Sequence, residues 1–296
     1  GFMPETPQHQ AALRFKELVE EETDGRIIVN IFPAGQLGSA KEMFEGLQIG
    51  TQEITLVPTA RISGFNPKLQ LFDLPFLFPD RETAYRIMDG EVGERLLETL
   101  DANDVVGVAY YEDGFKHFTN RYPIEKLEDF AGKKYRTMES PIIMEQFRAM
   151  GANPTPIAFS EAYNAMQQGV VDGQENPLVT ITNMKFYEVQ DYLLLSSHAY
   201  LAHVLLFSKS WFSSLSQADQ DMLIRIGKEI APWQRDLVAQ EEAGYLQTIR
   251  NSGTTILELS DAERERMFSV MAPVYKLAED IIGKDLIDMA LADINK

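Results

Sequence analysis

The sequence predicts an α/β fold in two lobes through which the chain passes more than once. Three observations predict it. Short runs rich in β-branched and aromatic residues alternate with capped helical stretches along most of the chain. The length of 296 residues suits about two domains, yet no Pro- or Ser-rich linker divides it. From Ser216 onward a helical pattern persists for more than 30 residues, long enough to lie across two lobes.

The first helix opens at Thr6-Pro7, an N-cap followed by a proline at the first helical position. Ala11, Phe15, Leu18 and Glu22 follow at helical spacing, only the last of them polar, and Gly25 marks the stop. Arg26 to Phe32 (RIIVNIF) reads as a strand. After a Pro/Gly turn, Ser39 with Glu42 forms a capping box for a helix that ends near Gly50, and Ile54 to Pro58 is a short apolar strand. Val105 to Tyr111 is a buried strand that Gly114 interrupts. Lys133 to Met138 is another, followed by a helix that Ser140-Pro141 opens and Gly151 closes. Thr155 to Phe159 reads as a strand, Ser160 as the cap of a helix ending at Gly169, and Val170 to Asp172 and His203 to Ser208 as further strands. The long helix starts at the Ser216/Asp219 box, with Pro232 expected to kink or break it, and ends at Asn251-Ser252-Gly253. A last strand, Thr254 to Leu259, a box at Ser260/Glu263 and amphipathic helices complete the chain.

Composition excludes several classes. No cysteine is present, so disulfides, thiolate metal sites and thiol catalysis are out. The formal charge of −18 argues against nucleic acid or an anionic membrane as partner. No apolar run reaches the length of a bilayer span, so no direct membrane insertion is expected. The opening Gly1-Phe2-Met3-Pro4 lacks an initiator Met and a basic-then-apolar leader, and either a removed signal segment or a trimmed start is expected.

Nucleotide-binding and hydrolase motifs are missing, and the four histidines, His9, His117, His198 and His203, form no metal-binding spacing. His9, in the first turn of the first helix, is a candidate to face a cleft. Paired carboxylates such as Glu112-Asp113 carry no signal in so acidic a chain. Arg136 is placed at the carboxyl end of a strand, where open α/β sheets bind ligands, and its planar fork matches a carboxylate. An ordinary surface ion pair explains its position equally well. Asn176, held before Pro177, has its amide free to donate and accept, although a plain turn residue is the default reading. Lys116 lies between the aromatics of GFKHF, and Phe159 precedes Ser160; alone, neither separates a ligand contact from a core position.

Taken together, several segments resemble the DctP-type substrate-binding proteins of tripartite ATP-independent periplasmic (TRAP) transporters. They are FPAGQLGSAKEMFEGLQIG (from Phe32), LPFLF (from Leu74), GFKHFTN (from Gly114), KKYRTMESP (from Lys133), GANPTPIAFSEAYNAMQQGVVDGQENP (from Gly151) and YEVQDYLLLSSH (from Tyr187). The resemblance covers nearly the whole chain. It implies a two-lobed periplasmic-binding-protein fold of type II-like topology, with a long helix spanning both lobes. It also implies no catalytic activity and no cofactor, capture of an organic acid between the lobes, and delivery to a TRAP permease. Lobe I is expected over 1–113 plus 202–241 and lobe II over 114–201 plus 242–296.

The resemblance assigns the carboxylate clamp to Arg136, the asparagine of the E-N-P motif to Asn176, a second cation to Lys116 and the aromatic beneath the ligand to Phe159. Glu139, Gln36, Thr59 and Met138 stand in or beside the matched segments and join His9 as candidate ligand contacts. Family members usually open with a strand before the first helix; that strand lies outside the chain given, and its contacts stay unassigned. Pro58-Thr59 replaces the acidic residue of sialic-acid binders, which argues against sialic acid. The wording of GFKHFTN and RTMESP points to a sugar acid, such as a uronate or aldonate, or to a C4-dicarboxylate. A periplasmic monomer is expected. A receptor domain feeding a sensor kinase and an acid/base enzyme using Glu139 or Glu112 are the competing classes.

Overall fold

The structure is a computed structural model that describes residues 3–295; Gly1, Phe2 and Lys296 lie outside it. It is a mixed α/β fold. Helix α1 (Pro7–Glu22) is capped by the Thr6 hydroxyl, and α2 (Ala40–Ile49) by the Ser39/Glu42 box. Strand β1 (Ile54–Pro58), α3 (Arg81–Asp89) and α4 (Glu91–Glu98) lead into β2 (Val105–Asn120). Then come β3 (Lys134–Thr137), α5 (Pro141–Ala149), β4 (Asn153–Pro156), α6 (Ala162–Gln167), β5 (Gly173–Pro177), α7 (Leu178–Asn183), β6 (Tyr192–Leu195) and β7 (Tyr200–Ser208). The chain ends with α8 (Lys209–Ser214), α9 (Gln217–Asn251), β8 (Thr255–Glu258), α10 (Asp261–Ser269), α11 (Ala272–Ile282) and α12 (Lys284–Ile294).

Strand β2 is the spine. Its first part pairs antiparallel with β7, which carries β1 on its other edge. Its second part, Lys116 to Asn120, pairs antiparallel with β5, and β6 adds to the opposite edge. Strands β5, β3 and β4 run parallel, as do β6 and β8. The alternation of strands and helices predicts parallel units throughout, and that holds only within the second sheet, for β3, β4 and β5 and for β6 and β8, while β2 runs antiparallel to its neighbours there. In the first, β2 and β7 are long strands crossing the molecule in opposite directions, and the two sheets meet along them.

Gly114 does not end β2, as the sequence reading has it. It sits at a bulge with φ +115°, a conformation open to glycine, and lets the strand bend from one sheet into the other. Helix α9 runs unbroken through Pro232, and its 35 residues span about 50 Å. It packs on α1 and β2 at one end and on α7 at the other. At the bulge, Gln234 of α9 accepts from the Glu112 N–H (2.8 Å) and donates to its carbonyl (2.7 Å).

Three other elements differ from expectation. Arg26 to Phe32 is extended with alternating burial but forms no ladder, because α1 side chains take its polar groups. The Val29 N–H donates to Glu20 Oε1 (3.0 Å), and Lys16 Nζ donates to the Val29 carbonyl (2.8 Å). A cavity of ≈ 150 Å³ lined by Phe15, Val29, Ile31, Ile54 and Leu56 parts this segment from β1. The expected strand over 155–159 shifts to β4, and a 3-10 turn, Phe159–Glu161, separates it from α6, so Ser160 caps nothing. The expected strand over 170–172 is a bend, and the ladder starts at Gly173.

The core forms three clusters. The largest runs under both sheets and takes in α2, α5, α11 and α12; a second joins α1 and α9 to the first sheet, and a third joins α6 and α7 to the second. Helix α12 packs on α3 and α4, and α11 packs on α5 and on the 3-10 turn Pro67–Asp73. The bend at Gly114 yields a direct expectation. Gly114→Val should lower the unfolding free energy by ~1–3 kcal/mol, the cost of forcing a side chain into a glycine-only conformation. Urea unfolding checks this, and an unchanged midpoint would show that the bend does not need glycine.

Candidate functional site

Two arginines meet one aromatic ring where the sheets join. Arg136 is the penultimate residue of β3, and Arg61 lies in the 3-10 turn Thr59–Ile62 that follows β1. Their guanidinium carbons lie 5.8 and 4.3 Å from the centroid of Phe159. Arg136 is 2% exposed. Its Nε donates to the Ile157 carbonyl (3.0 Å), which aims the ring-distal amines and leaves them for another acceptor. The Arg61 Nε is buried without a hydrogen-bond partner. Among the described residues neither arginine forms a salt bridge. Burial lowers the pKa of Arg136 to about 9 and of Arg61 to about 10, and Arg61 adds to the effect on Arg136. Both stay charged at neutral pH. Two cations on one ring, neither held in a salt bridge, can receive an anion.

Around them lie acceptors and amides that are already fixed. Asp113, buried beside the bulge, accepts from Gln8 of α1 (2.6 Å) and from Thr180 of α7 (2.6 Å). Burial pushes its pKa up to about 6, opposed by the Thr180 bond and by Arg61. Asn176 is buried, donates its amide to Gln174 Oε1, and Gln174 in turn donates to Thr119 (2.9 Å).

The structure therefore brings together Arg136, Phe159 and a residue the sequence reading passes over, Arg61. The signal for Arg61 was present: it follows the carboxyl end of β1, the same rule that singles out Arg136. Asp113 was passed over because acidic pairs are common in this chain.

The other candidates lie elsewhere or are engaged. Lys116 is fully buried and pairs with Glu175 Oε1 (2.8 Å), so its charge already has a partner within the protein. Glu139 is exposed, and its carbonyl accepts from the Ser63 hydroxyl (2.8 Å). Thr59 is buried and donates to the Ala202 carbonyl (3.3 Å). Met138 belongs to the large apolar cluster. Gln36 is exposed in the turn before α2. His9 lines the apolar cavity beside α1, where burial lowers its pKa. Among the described residues no cluster of His, Asp or Glu has the geometry to hold a metal ion.

Comparison with known proteins bears on this geometry. The profile of bacterial extracellular solute-binding protein family 7, DctP, matches residues 2–280. The C4-dicarboxylate-binding protein DctB of Bacillus subtilis is 34% identical over 284 residues, 95% of this chain and 81% of that protein. The sugar acid binding protein DctPAm of Advenella mimigardefordensis, crystallised with galactonate, superposes with a TM-score of 0.96 at 37% identity, covering 100% of this chain and 96% of that one. A TRAP periplasmic solute binding protein from Sulfurospirillum deleyianum with bound succinate gives 0.92 at 36% identity, over 98% and 96%.

The floor of the region is an ion network with a defined energetic consequence. Burial alone would raise the pKa of Glu175, but Lys116 and the His198 Nε2, 2.6 Å away, outweigh it and hold it near about 2. Gln146 donates to the same carboxylate (3.1 Å). Glu175→Gln strands the buried Lys116 charge and should cost ~3–5 kcal/mol of stability. Pairing it with Lys116→Met should recover most of that loss. A denaturation cycle on the two single variants and the double checks this, and additive losses would contradict it.

Proposed function

The chain belongs to the DctP family, bacterial extracellular solute-binding protein family 7, the solute receptors of TRAP transporters, and from that membership we propose that it captures a sugar acid of the uronate or aldonate kind and hands it to a TRAP permease. The observation that carries the proposal is the pair of guanidiniums, Arg136 buried and Arg61 half-buried, that share Phe159 and form no salt bridge among the described residues. Arg136 offers its two terminal amines to the ligand carboxylate as a fork. Asn176 and Arg61 read the polar groups further along the ligand, and Phe159 supplies an apolar face.

The protein acts by binding, without turnover. The two sheets define the lobes, which follow the boundaries 1–113 plus 202–241 and 114–201 plus 242–296, while the helices after β8 lie against both. The ligand closes them about the bend at Gly114, because its charge neutralises cations that are costly to bury alone. The protein works in the periplasm as a monomer. No helix among the described residues is long and apolar enough to cross a membrane, and solute reaches the permease from outside that membrane.

One observation favours a second reading, a C4-dicarboxylate. Arg61 gives the site a second cation from the opposite sheet, suited to a second carboxylate. Calorimetric titration with galactonate, galacturonate and succinate separates the two. Arg136→Ala should weaken every acid that binds by ~2–5 kcal/mol, the range for removing one partner of a buried charge pair. Arg61→Ala should weaken a diacid by more than it weakens a monoacid. Binding by the Arg136 variant within twofold of the unsubstituted protein would sink the clamp, and no heat from any of the three acids would sink the ligand class.

A further inference from the structure

Asp113 lies in β2 immediately before the bulge at Gly114 and is 4% exposed. Helices from both sides of the bend hold it. Gln8 of α1 donates from Nε2 to its Oδ1 (2.6 Å), and the Thr180 hydroxyl of α7 donates to its Oδ2 (2.6 Å). A second bond fixes the orientation of Gln8: the same Nε2 donates to the Glu112 carbonyl (2.9 Å), which only accepts. Both carboxylate oxygens of Asp113 therefore have donors. Among the described residues it forms no salt bridge, and its charge acts across space on Arg61.

The other ionisable groups around the two arginines are matched or neutral. Lys116 of β2 pairs with Glu175 of β5 (2.8 Å), and burial holds His198, on the same carboxylate, below its usual pKa. Glu112 of β2 pairs with Arg81 of α3 (2.8 Å). Burial, and then Arg61, lower His203 of β7 well below the usual histidine range. Glu139 is exposed, so water and salt weaken its pull on Arg136. Arg136, Arg61 and Asp113 remain, two positive charges and one negative. Burial raises Asp113 to about 6, against the Thr180 bond and Arg61, so it is ionised at pH 8.

On the acid-binding function proposed above, we infer that Asp113 sets the charge of the acid this site takes: it leaves Arg136 and Arg61 with one net positive charge, which selects a monoanion over a dianion of the same shape. A monoanion brings the closed site to neutrality. A dianion leaves one uncompensated negative charge in a poorly hydrated place, repelled by Asp113. Asp113 works through Arg61 and is a positioning residue, since its own oxygens are occupied. A sugar acid with a single carboxylate meets the condition, and a C4-dicarboxylate does not. At an effective dielectric constant of about 20, a unit charge several ångströms away changes an equilibrium constant by on the order of tenfold or more.

Two matched pairs of acids separate charge from shape. Galactarate carries a carboxylate where galactonate has its terminal CH2OH, and succinate carries one where succinamate has an amide. All four are titrated calorimetrically at pH 8, where the diacids are fully ionised. The unsubstituted protein should bind the monoanion of a pair at least about tenfold more tightly than the dianion. Asp113→Asn removes the charge and keeps the shape, its amide oxygen accepting from Gln8 and its nitrogen donating to the Thr180 hydroxyl. It should shift the ratio towards the dianion by about tenfold or more in whichever pair binds. Thr180→Val removes a hydrogen bond and keeps the charge, so it should move both acids of a pair together. Equal or tighter binding of the dianion by the unsubstituted protein would overturn the inference. So would an unchanged ratio in an Asp113→Asn protein whose melting curve shows it folded, or an equal shift of the ratio in Thr180→Val. If Asp113→Asn does not fold, the order of affinities within each pair on the unsubstituted protein still decides. If none of the four acids binds, the proposed function fails and the inference with it, whereas binding in the wrong order overturns the inference alone.

Discussion

The structure depends on where it holds positive charge without an internal partner. A buried guanidinium left alone is among the least favourable arrangements a protein can adopt. Arg235, equally buried, shows the usual remedy: it is bidentate to Asp89 and also meets the Tyr110 carbonyl. Arg81 shows it too, engaging Glu112 and Glu242 together. Arg136 and Arg61 have no such remedy. Their neighbours orient them, through Ile157 and Phe159, without neutralising them. Asp113 acts on Arg61 from a distance, and among the described residues no carboxylate meets either guanidinium in a salt bridge, so an anion from outside is the partner the proposed function supplies.

The frame around the arginines lets such an anion govern the relation of the two halves. Strand β2 belongs to both sheets and bends at Gly114, so the connection between them is short and directional. Helix α9 bridges the same junction from the other face and grips it at Glu112 through Gln234. The Glu112 carboxylate is gripped as well, by Arg81 and Tyr85 of α3, and Arg81 extends the grip to Glu242 on α9. The residue beside the bend is thus held through both its backbone and its carboxylate.

Much of this was legible in the sequence, and the failures have physical causes. Caps are local, so Thr6, Ser39, Ser140, Ser216 and Ser260 mark helix starts correctly. Ser160 misleads because a capping residue type is also a common 3-10 residue, and only the tertiary path distinguishes them. Pro232 and Gly114 mislead because packing against α1 and β2 outweighs the local penalty in one case, and a bulge absorbs it in the other. Arg26 to Phe32 has the composition and alternation of a strand; pairing is a property of the neighbour, and its neighbour here is a helix with Lys16 and Glu20. In the candidate site, position at a strand end left Arg136 evenly divided between a ligand contact and a surface ion pair, and the resemblance assigned it the clamp; the structure buries it without a salt bridge among the described residues. Lys116, the expected second cation, is paired within the protein by Glu175, two residues along β5 from Pro177, the register partner of Lys116 in the β2–β5 ladder. That fact depends on which strands pair, and no spacing within GFKHF or ENP reveals it.

The formal charge of −18 opposes an anionic ligand at long range, and distance removes the contradiction. Charges on the surface act through water and salt, and their reach is about 8 Å at physiological ionic strength. Much of the acidity is also locally committed, as in Asp219 with Arg26 and Glu22 with Arg225. The cations at Phe159 act at contact distance in a poorly hydrated setting, where one charge pair outweighs many remote ones. For the ligand proposed above, the surface therefore slows the approach of an anion at low salt, whereas contacts such as those from Arg136 and Arg61 would set how long it stays. A strongly acidic receptor for an acid is consistent when the two effects fall on different rate constants.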